Sequence, residues 1–373
     1  MQFITDRDAL NEAVNIVQKA AAVKSAIPAL EGILIETRND ILHFTAYDLN
    51  VSIDYELNAS IDEEGSIVLP ARLFSDIVRK LPSSNIEIKT DEKLHVHIAS
   101  GASEFTIMGI DTDEFPEISP PSQQNRISID INAFKRLVRQ TIFAAAQNDL
   151  KPVLTGVLFK TETDEKSICA VAVDGFRLAI KKESYEDLKG QSTQFIVPMR
   201  TLSELLKILP DTEDKILNIL IGDKNITFVF EQMTLTSRLL EGEFLNYESA
   251  IPQNCVFKVT VPVREFSQMI ERASLLTSST IKSPIRCEFD IASIKVTTSS
   301  NIGKFCDEIK TEQFNQQLII GFNHKYMLDA LGACDESEVV FELTNPLSPI
   351  VIKPCEGDGF LFMVLPVRLN LEA

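Results

Sequence analysis

A short pattern recurs in this chain at a nearly constant spacing. Residues 171–175 (VAVDG) lie 126 positions after residues 45–49 (TAYDL) and 125 positions before residues 296–300 (VTTSS). Such a period in a chain of 373 residues predicts that one domain is repeated three times. We place the domains at residues 1–122, 123–253 and 254–373, with boundaries at the Pro- and Ser-rich residues 119–122 and at residues 251–254.

Each repeat contains the same smaller unit twice: a strand, a helix and three strands. Apolar residues at helical spacing mark the helices. In the first two repeats, prolines bracket the second helix, Pro70 with Pro82 and Pro198 with Pro210. The pattern predicts an α+β fold of three such domains. A first helix is expected to follow a cap at Thr5 or Asp6. Further helices are expected at residues 71–81, 132–148, 199–209 and 323–331. One of the strands is expected at residues 153–160.

The segment Asp174-Gly175 lies between two apolar runs and predicts a β-hairpin. A type I′ turn is expected, because Asp-Gly suits a turn in which both central residues have positive φ. Arg177 follows among apolar neighbours, where an ordinary hairpin with a snorkelling arginine is one interpretation. An enzyme acting through Asp174 and Arg177 is another. No nucleophile or base stands beside them in the sequence, so a non-catalytic protein is favoured.

Composition excludes several classes of protein. The sequence contains no run of about 18 apolar residues, so no membrane span is expected. The first residues do not resemble a signal peptide. The six cysteines are scattered without a CxxC pair, which favours reduced thiols and a cytoplasmic location. His95 and His97 share one face of a predicted strand and could hold a metal, but a solvated strand face is the favoured interpretation. Neither a metal nor a cofactor is expected.

The charge is distributed unevenly along the chain. The net charge is −18, yet the predicted helices at 71–81, 132–148 and 199–209 together carry +6. Charged residues on exposed helix faces are common, but net-basic faces at equivalent repeat positions in an acidic protein favour a patterned surface. Such a surface suits sequence-independent contact with the phosphate backbone of duplex DNA. Few aromatic residues lie there, which argues against stacking on single strands.

The sequence resembles the bacterial sliding clamp family, the β subunit of DNA polymerase III, over essentially its whole length. The resemblance rests on LPARLFSDIVRKLP (69–82), VDGFRLA (173–179), RLLEGEFLNYESAIP (238–252), FNHKYMLDAL (322–331) and MVLPVRL (363–369). It implies that the three domains form half of a head-to-tail dimeric ring, with helices lining the hole and sheets outside. Double-stranded DNA would pass through the ring without sequence preference.

The resemblance also implies site residues. The residues that face DNA would be Lys24, Arg72, Arg79, Lys135, Arg136, Arg139, Gln147 and Arg200. The dimer interface would contain Leu73, Phe105, Ile107, Leu275 and Leu276. A pocket for linear peptides of the polymerase III catalytic subunit, the clamp loader and other clamp-binding proteins would be lined by Leu154, Val173, Gly175, Phe176, Arg177, Leu178, Leu245, Ala250, Val364, Leu365, Pro366, Val367, Arg368 and Leu369.

The chain departs from the common family pattern around this pocket. Many clamps have Thr, His, Pro and Arg at the positions of Val173, Phe176, Leu245 and Ser249. The pocket is therefore expected to be more apolar, with a shifted peptide preference. A peptide-docking scaffold that does not encircle DNA is the alternative function. Residues 370–373 are either a natural tail or a remnant of expression.

Overall fold

The computed structural model describes residues 1–82, 85–118, 125–148, 151–212, 214–277, 284–311 and 317–369. The chain packs as two compact units. Unit 1 comprises Met1–Ile131, Glu186–Gln191 and Ser203–Leu239, and unit 2 comprises Asn132–Tyr185, Ser192–Leu202 and Leu240–Ala373. The expected boundary at 119–122 and the tail at 370–373 lie outside the described residues.

The first part of the chain follows the predicted order of elements closely. Its helices are α1 (Arg7–Val17) and α2 (Ala71–Lys80). Its strands are β1 (Gln2–Asp6), β2 (Gly32–Arg38), β3 (Ile41–Tyr47), β4 (Val51–Asn58), β5 (Ser60–Glu63), β6 (Gly65–Pro70), β7 (Asn85–Thr90), β8 (His95–Ser100) and β9 (Ser103–Met108).

The middle part repeats that order. Its helices are α3 (Ile131–Arg139) and α4 (Met199–Ile208). Its strands are β10 (Asn125–Asp130), β11 (Gly156–Glu162), β12 (Ser167–Val173), β13 (Arg177–Ser184), β14 (Asp187–Lys189), β15 (Gln194–Pro198), β16 (Ile216–Ile221), β17 (Asn225–Phe230) and β18 (Met233–Arg238).

The last part contains the third copy. Its helices are α5 (Val263–Ser274) and α6 (His324–Gly332). Its strands are β19 (Phe257–Pro262), β20 (Ile285–Asp290), β21 (Ser293–Ser300), β22 (Gly303–Lys310), β23 (Leu318–Phe322), β24 (Glu338–Leu343), β25 (Ile350–Pro354) and β26 (Phe360–Val364).

The strands form sheets that extend across the repeats. Among the described residues, unit 1 has a five-stranded sheet in the order β5-β1-β7-β8-β9 and a nine-stranded sheet in the order β14-β10-β16-β17-β18-β4-β3-β2-β6. In the described part of unit 2 the orders are β15-β11-β12-β13-β26-β25-β24-β19 and β22-β21-β20-β23. The middle repeat therefore contributes some of its strands to a sheet of the first repeat and the others to a sheet of the third.

Helix α1 shows how local sequence fixes the predicted elements. It begins at Asp6, whose carboxylate accepts hydrogen bonds from the backbone N–H groups of Asp8 (2.9 Å) and Ala9 (3.0 Å). These bonds satisfy donors that the first turn would otherwise leave open. The predicted apolar face is buried as expected, at Leu10, Ala13, Val14 and Val17.

Several predicted boundaries were wrong. The helix expected at 132–148 ends at Arg139, where the hydroxyl of Thr141 donates to the carbonyl of Leu137 at 2.6 Å, and a short 3₁₀ helix, Ile142–Ala144, follows. The strand expected at 153–160 begins only at Gly156, after another 3₁₀ turn. The short strands β5 and β14 were missed, because three or four residues give too little periodicity for detection.

Candidate functional site

The hairpin between β12 and β13 forms as predicted, but its turn is not type I′. Val173 pairs with Leu178 and the Asp174 N–H donates to the Arg177 carbonyl at 3.3 Å, so four residues rather than two connect the pair, and only Gly175 among them has a positive φ, +88°. The carboxylate of Asp174 caps the turn instead, because its Oδ1 accepts from the backbone N–H groups of Phe176 (2.9 Å) and Arg177 (3.1 Å). A hydrogen bond of this kind, from the backbone two residues on to an aspartate side chain, stabilises a turn without a second residue of positive φ.

Arg177 is held by groups from three parts of unit 2. Its side chain is 6% exposed, its Nε donates to Asp174 Oδ2 at 2.9 Å, and its Nη1 forms an ion pair with Asp329 on α6. The guanidinium lies over the ring of Tyr326 at 4.7 Å and near that of Phe143 at 5.7 Å. The expected pocket arginine is therefore buried and paired, rather than open to a ligand.

An apolar cluster lies beside this hairpin, on one face of the eight-stranded sheet. Of the predicted pocket residues, Val173 and Leu178 are buried members, and Leu154 and Leu365 pack against the cluster half-buried. The other buried members are Leu158, Val171, Ile196, Tyr247, Val351 and Met363. The structure thus brings together pocket residues that are more than 200 positions apart in the sequence.

The other predicted wall residues differ in their exposure. Phe176 is 58% exposed and stacks on Tyr326 with ring centroids 5.9 Å apart, and Leu245 is 37% exposed. Gly175, Ala250, Val367 and Arg368 are exposed, and Pro366 and Leu369 are half-buried. Val364 is fully buried as the last residue of β26, so its side chain adds no exposed surface at this site.

The segment that follows β26 is fixed by backbone contacts. The N–H of Leu365 donates to the carbonyl of Phe176 at 2.9 Å, and the N–H of Val367 donates to the carbonyl of Gly321 at 2.7 Å. A Cβ on Gly321 would stand 2.7 Å from the backbone carbonyl oxygen of Val367, which cannot move aside, so only glycine allows this approach. The exposed apolar groups of this segment therefore stand in a defined position beside the hairpin.

Polar groups occupy the edge of the cluster. The Lys160 ammonium donates to the Tyr247 hydroxyl at 3.1 Å and lies 3.5 Å from a Glu248 carboxylate oxygen. Burial alone would lower the pKa of Lys160, but Tyr247 and Glu248 outweigh it and the pKa is raised. Burial also raises the pKa of the Cys169 thiol to about 11. Lys160 thus stays charged and Cys169 stays a neutral thiol at physiological pH.

The residues expected to face DNA fall into different environments. Lys24, Arg72, Arg139, Gln147 and Arg200 are exposed. Arg79 is exposed and pairs with Asp76 at 2.5 Å. Arg136 forms two hydrogen bonds to Glu183, at 2.8 Å and 3.0 Å. Burial alone would raise the pKa of Glu183, but Arg136 and Lys181 outweigh it and the pKa is lowered, so this pair stays charged.

The expectation that Lys135 lies on an outward face was wrong. Lys135 is 3% exposed. It follows Ile131 by four residues and precedes Val138 by three, so all three share one face of α3, and Ile131 and Val138 are fully buried. The helix presents Arg139, rather than Lys135, to solvent.

Four of the five expected interface residues lie on or beside two sheet edges, and Leu73 lies on α2. Among the described residues, β9 ends the five-stranded sheet of unit 1 and β22 ends the four-stranded sheet of unit 2, each with one neighbouring strand. Phe105 on β9 is 40% exposed, Leu73 on α2 is 47% exposed and Leu275 after α5 is 78% exposed. Ile107 and Leu276 are half-buried. Each edge therefore carries exposed apolar side chains near a strand that has one neighbour.

The described residues show no group of three or more metal-ligating side chains. The ring of His95 contacts the carboxylate of Asp91 at 3.0 Å, and that of His97 contacts the Thr106 hydroxyl at 3.0 Å. Hydrogen bonds from His95, mainly its backbone N–H, lower the pKa of Asp91 to about 2.

No helix in the described part of the chain is both long and apolar enough to cross a membrane.

Comparison with known proteins gives the family. The family described as DNA polymerase III beta subunit, N-terminal domain, matches residues 1–119, the central domain matches residues 128–246, and the C-terminal domain matches residues 248–368. The chain belongs to the DNA polymerase III beta subunit family. One similar relative is the beta sliding clamp of Bacillus subtilis, which is 34% identical over 99% of this chain and 100% of the relative.

Solved beta subunit structures show the same fold. The sliding clamp of Bacillus subtilis superposes with a TM-score of 0.95 at 34% identity, covering 99% of this chain and 100% of the other. A Pseudomonas aeruginosa sliding clamp bound to griselimycin superposes with a TM-score of 0.92 at 27% identity over the same shares. The predicted α+β architecture of three clamp domains is therefore confirmed, and this chain is similar to sliding clamps over its full length.

Proposed function

We propose that two copies of this chain close head to tail round duplex DNA, as a sliding clamp that tethers the replicative polymerase and other replication and repair proteins. The three domains would be residues 1–122, 123–253 and 254–373. The family matches divide between residues 119 and 128 and between residues 246 and 248, so the second proposed boundary lies a few residues inside the C-terminal match. The clamp would act without catalysis, in the cytoplasm. Its contribution to synthesis is topological, because a closed ring stays on an unbroken duplex without strong contacts.

The observation that supports the proposed ring is a strand pairing that occurs twice within the chain. Strand β18 pairs antiparallel with β4, where Leu235 faces Ile53, and β26 pairs antiparallel with β13, where Met363 faces Leu178. In each case, the third strand after a second helix joins the third strand after a first helix. Strands β9 and β22 hold the same two positions in the repeat.

The edges of β9 and β22 supply a third junction between two copies. Pairing them would join the five- and four-stranded sheets and cover edges that otherwise invite aggregation. Each chain offers one edge of each kind, so the contact is head to tail and two copies satisfy both. Exposed Phe105 and Leu275 supply apolar area that such a contact would bury.

The exposed cations suit the proposed DNA contact. Arg72, Arg139 and Arg200 lie on or at the end of helices and reach solvent, whereas the chain as a whole carries −18. Contacts of this kind bind phosphates without sequence preference and weaken as salt rises. An acidic remainder limits binding of DNA at other surfaces.

The cluster beside the β12–β13 hairpin is the proposed docking site for short peptides of the polymerase III catalytic subunit, the clamp loader and other partners. Exposed Phe176 lies in the adjoining turn, exposed Leu245 follows Phe244, which packs against the cluster, and Lys160 and Glu248 lie at its edge. A small apolar cleft with few polar groups is typical of a peptide site. We further propose that griselimycin, which is bound to the Pseudomonas aeruginosa relative, occupies this cleft.

Retention on DNA of different topology tests the proposed function. The protein would be loaded by its clamp loader onto a nicked circular plasmid, and half of the sample would then be cut once with a restriction enzyme. We expect gel filtration to show clamp retained on the circle and lost from the cut DNA, because only open ends let a ring slide off. Equal loss from both DNAs would leave only the peptide-docking scaffold.

A further inference from the structure

The proposed peptide pocket depends on Asp329, a side chain that the sequence did not single out. Asp329 lies on α6 and pairs with Arg177, which Asp174 holds from the other side. The Arg177 guanidinium also lies over the ring of Tyr326. A cation that is paired with carboxylates on two sides and covered by a ring has little capacity left for a ligand.

Asp329 lies on a helix that is itself fixed. In α6, the residues Met327, Ala330 and Leu331 are buried with 0–1% exposure. Tyr326 and Asp329 are three positions apart and therefore share another face of the helix. That face holds the hairpin at two points, through the Asp329–Arg177 ion pair and through the stacking of Tyr326 on Phe176.

The sheet holds the hairpin as far as Arg177, which pairs with Val364 on β26, but the side chains of the tip beyond it have few other contacts. Phe176 is 58% exposed and a Cβ on Gly175 would meet open space, so apart from the stacking on Tyr326 the turn has little packing. Asp174 shapes the turn from within, because its carboxylate accepts hydrogen bonds from the backbone N–H groups of Phe176 and Arg177. Only contacts with other elements can place the turn against the segment after β26, and the carbonyl of Phe176 must meet the N–H of Leu365 there.

We propose that Asp329 is a positioning residue of the peptide pocket. It anchors Arg177 to α6 and thereby fixes the position of Phe176 at the opening of the cleft. Asp329 does not itself contact the ligand. This inference rests on the proposed peptide-docking function. Removing the carboxylate would loosen the Arg177 side chain and the tip of the hairpin, and would lower the fraction of molecules with a formed pocket.

The first test measures the affinity of griselimycin by titration calorimetry. If Asp329→Asn reduces the formed pocket to about a tenth of molecules, the affinity falls about tenfold, because apparent affinity scales with the competent fraction. Asp329→Glu should restore most of the affinity, since it keeps the charge. Asp335→Asn is the matched control, because it removes the same charge from an exposed carboxylate of the same unit that accepts a hydrogen bond from Gln140 instead of from the hairpin. It should bind normally.

The second test reports on the hairpin directly and needs no ligand. The chain has no tryptophan, so Phe176→Trp introduces a single reporter on the stacked ring. We expect its fluorescence anisotropy to drop when Asp329→Asn is added and to be unchanged with Asp335→Asn. A role of Asp329 in overall stability alone would lower the unfolding temperature and leave the native-state anisotropy unchanged.

The outcomes separate this inference from the proposed function. Normal griselimycin affinity and unchanged anisotropy of the tryptophan reporter in Asp329→Asn overturn the positioning role, even if the pocket variant Leu365→Asp abolishes binding. If wild-type protein does not bind griselimycin, the proposed ligand of the pocket is wrong and the anisotropy alone decides the role of Asp329. Loss of affinity in Asp335→Asn as well would show a general charge effect and also overturn it.

Discussion

Leu275 offers the sharpest test of the proposed ring contact. It is 78% exposed in the single chain, at the C-terminal end of α5. Replacing it by alanine removes about three carbon groups, each contributing about 0.8 kcal/mol when buried. Only the exposed 78% of the side chain can be newly buried in a dimer. If dimer formation buries all of it, Leu275→Ala would cost about 2 kcal/mol of dimer stability at each contact.

A closed two-subunit ring contains this contact twice. The cost to dimer formation is therefore about 4 kcal/mol, and at about 1.4 kcal/mol per tenfold the dissociation constant should rise several hundredfold, to roughly 10³-fold at most. Stability of the monomer should change by less than about 0.5 kcal/mol, because the side chain is mostly exposed there. Sedimentation velocity over a dilution series measures the dissociation constant.

Leu347→Ala is the matched control for this experiment. Leu347 is 69% exposed and belongs to the same unit, but it lies in the loop between β24 and β25 rather than beside β22. We expect its dimer to be as stable as that of the wild type. A dissociation constant for Leu275→Ala within about threefold of wild type, a difference below about 0.7 kcal/mol, would contradict the proposed interface.

Two further predictions concern the other proposed surfaces. A chain that ends at Val364 should lose griselimycin binding yet remain dimeric in sedimentation, because β26 is complete without the residues that follow; undiminished binding would place the pocket elsewhere. In filter-binding titrations, Arg72→Ala and Arg139→Ala should each reduce the slope of log affinity against log salt by about 0.9. Lys135→Ala should leave that slope unchanged, because Lys135 is 3% exposed, and a matching reduction would show that it does reach DNA.

Much of the fold could be predicted because its signals are local. The apolar residues of α1 recur at helical spacing and Asp6 supplies its cap, so both the helix and its start follow from neighbouring residues. Prolines after α2 and α4 stop those helices for the same local reason. The boundaries failed where local signals were weak, as at the end of α3, where a threonine hydroxyl rather than a proline marks the change.

The candidate site was predictable only in part. Val173 and Leu178 stand in a recognisable hairpin motif, and the resemblance supplied Leu154 and Leu365, which the structure joins in one cluster. The pairing of Arg177 with Asp329 links residues 152 positions apart, and nothing in either local sequence points to the other.

The sequence by itself determined the threefold repeat, the order of strands and helices, and the unequal distribution of charge. Each of these depends only on which residue types recur at short or regular spacing. Tertiary structure decided which strands pair across repeats, that β9 and β22 lie at sheet edges among the described residues, and that Lys135 is buried while Arg139 is exposed. These properties depend on which distant segments meet and how much solvent they exclude, and spacing along one chain carries neither.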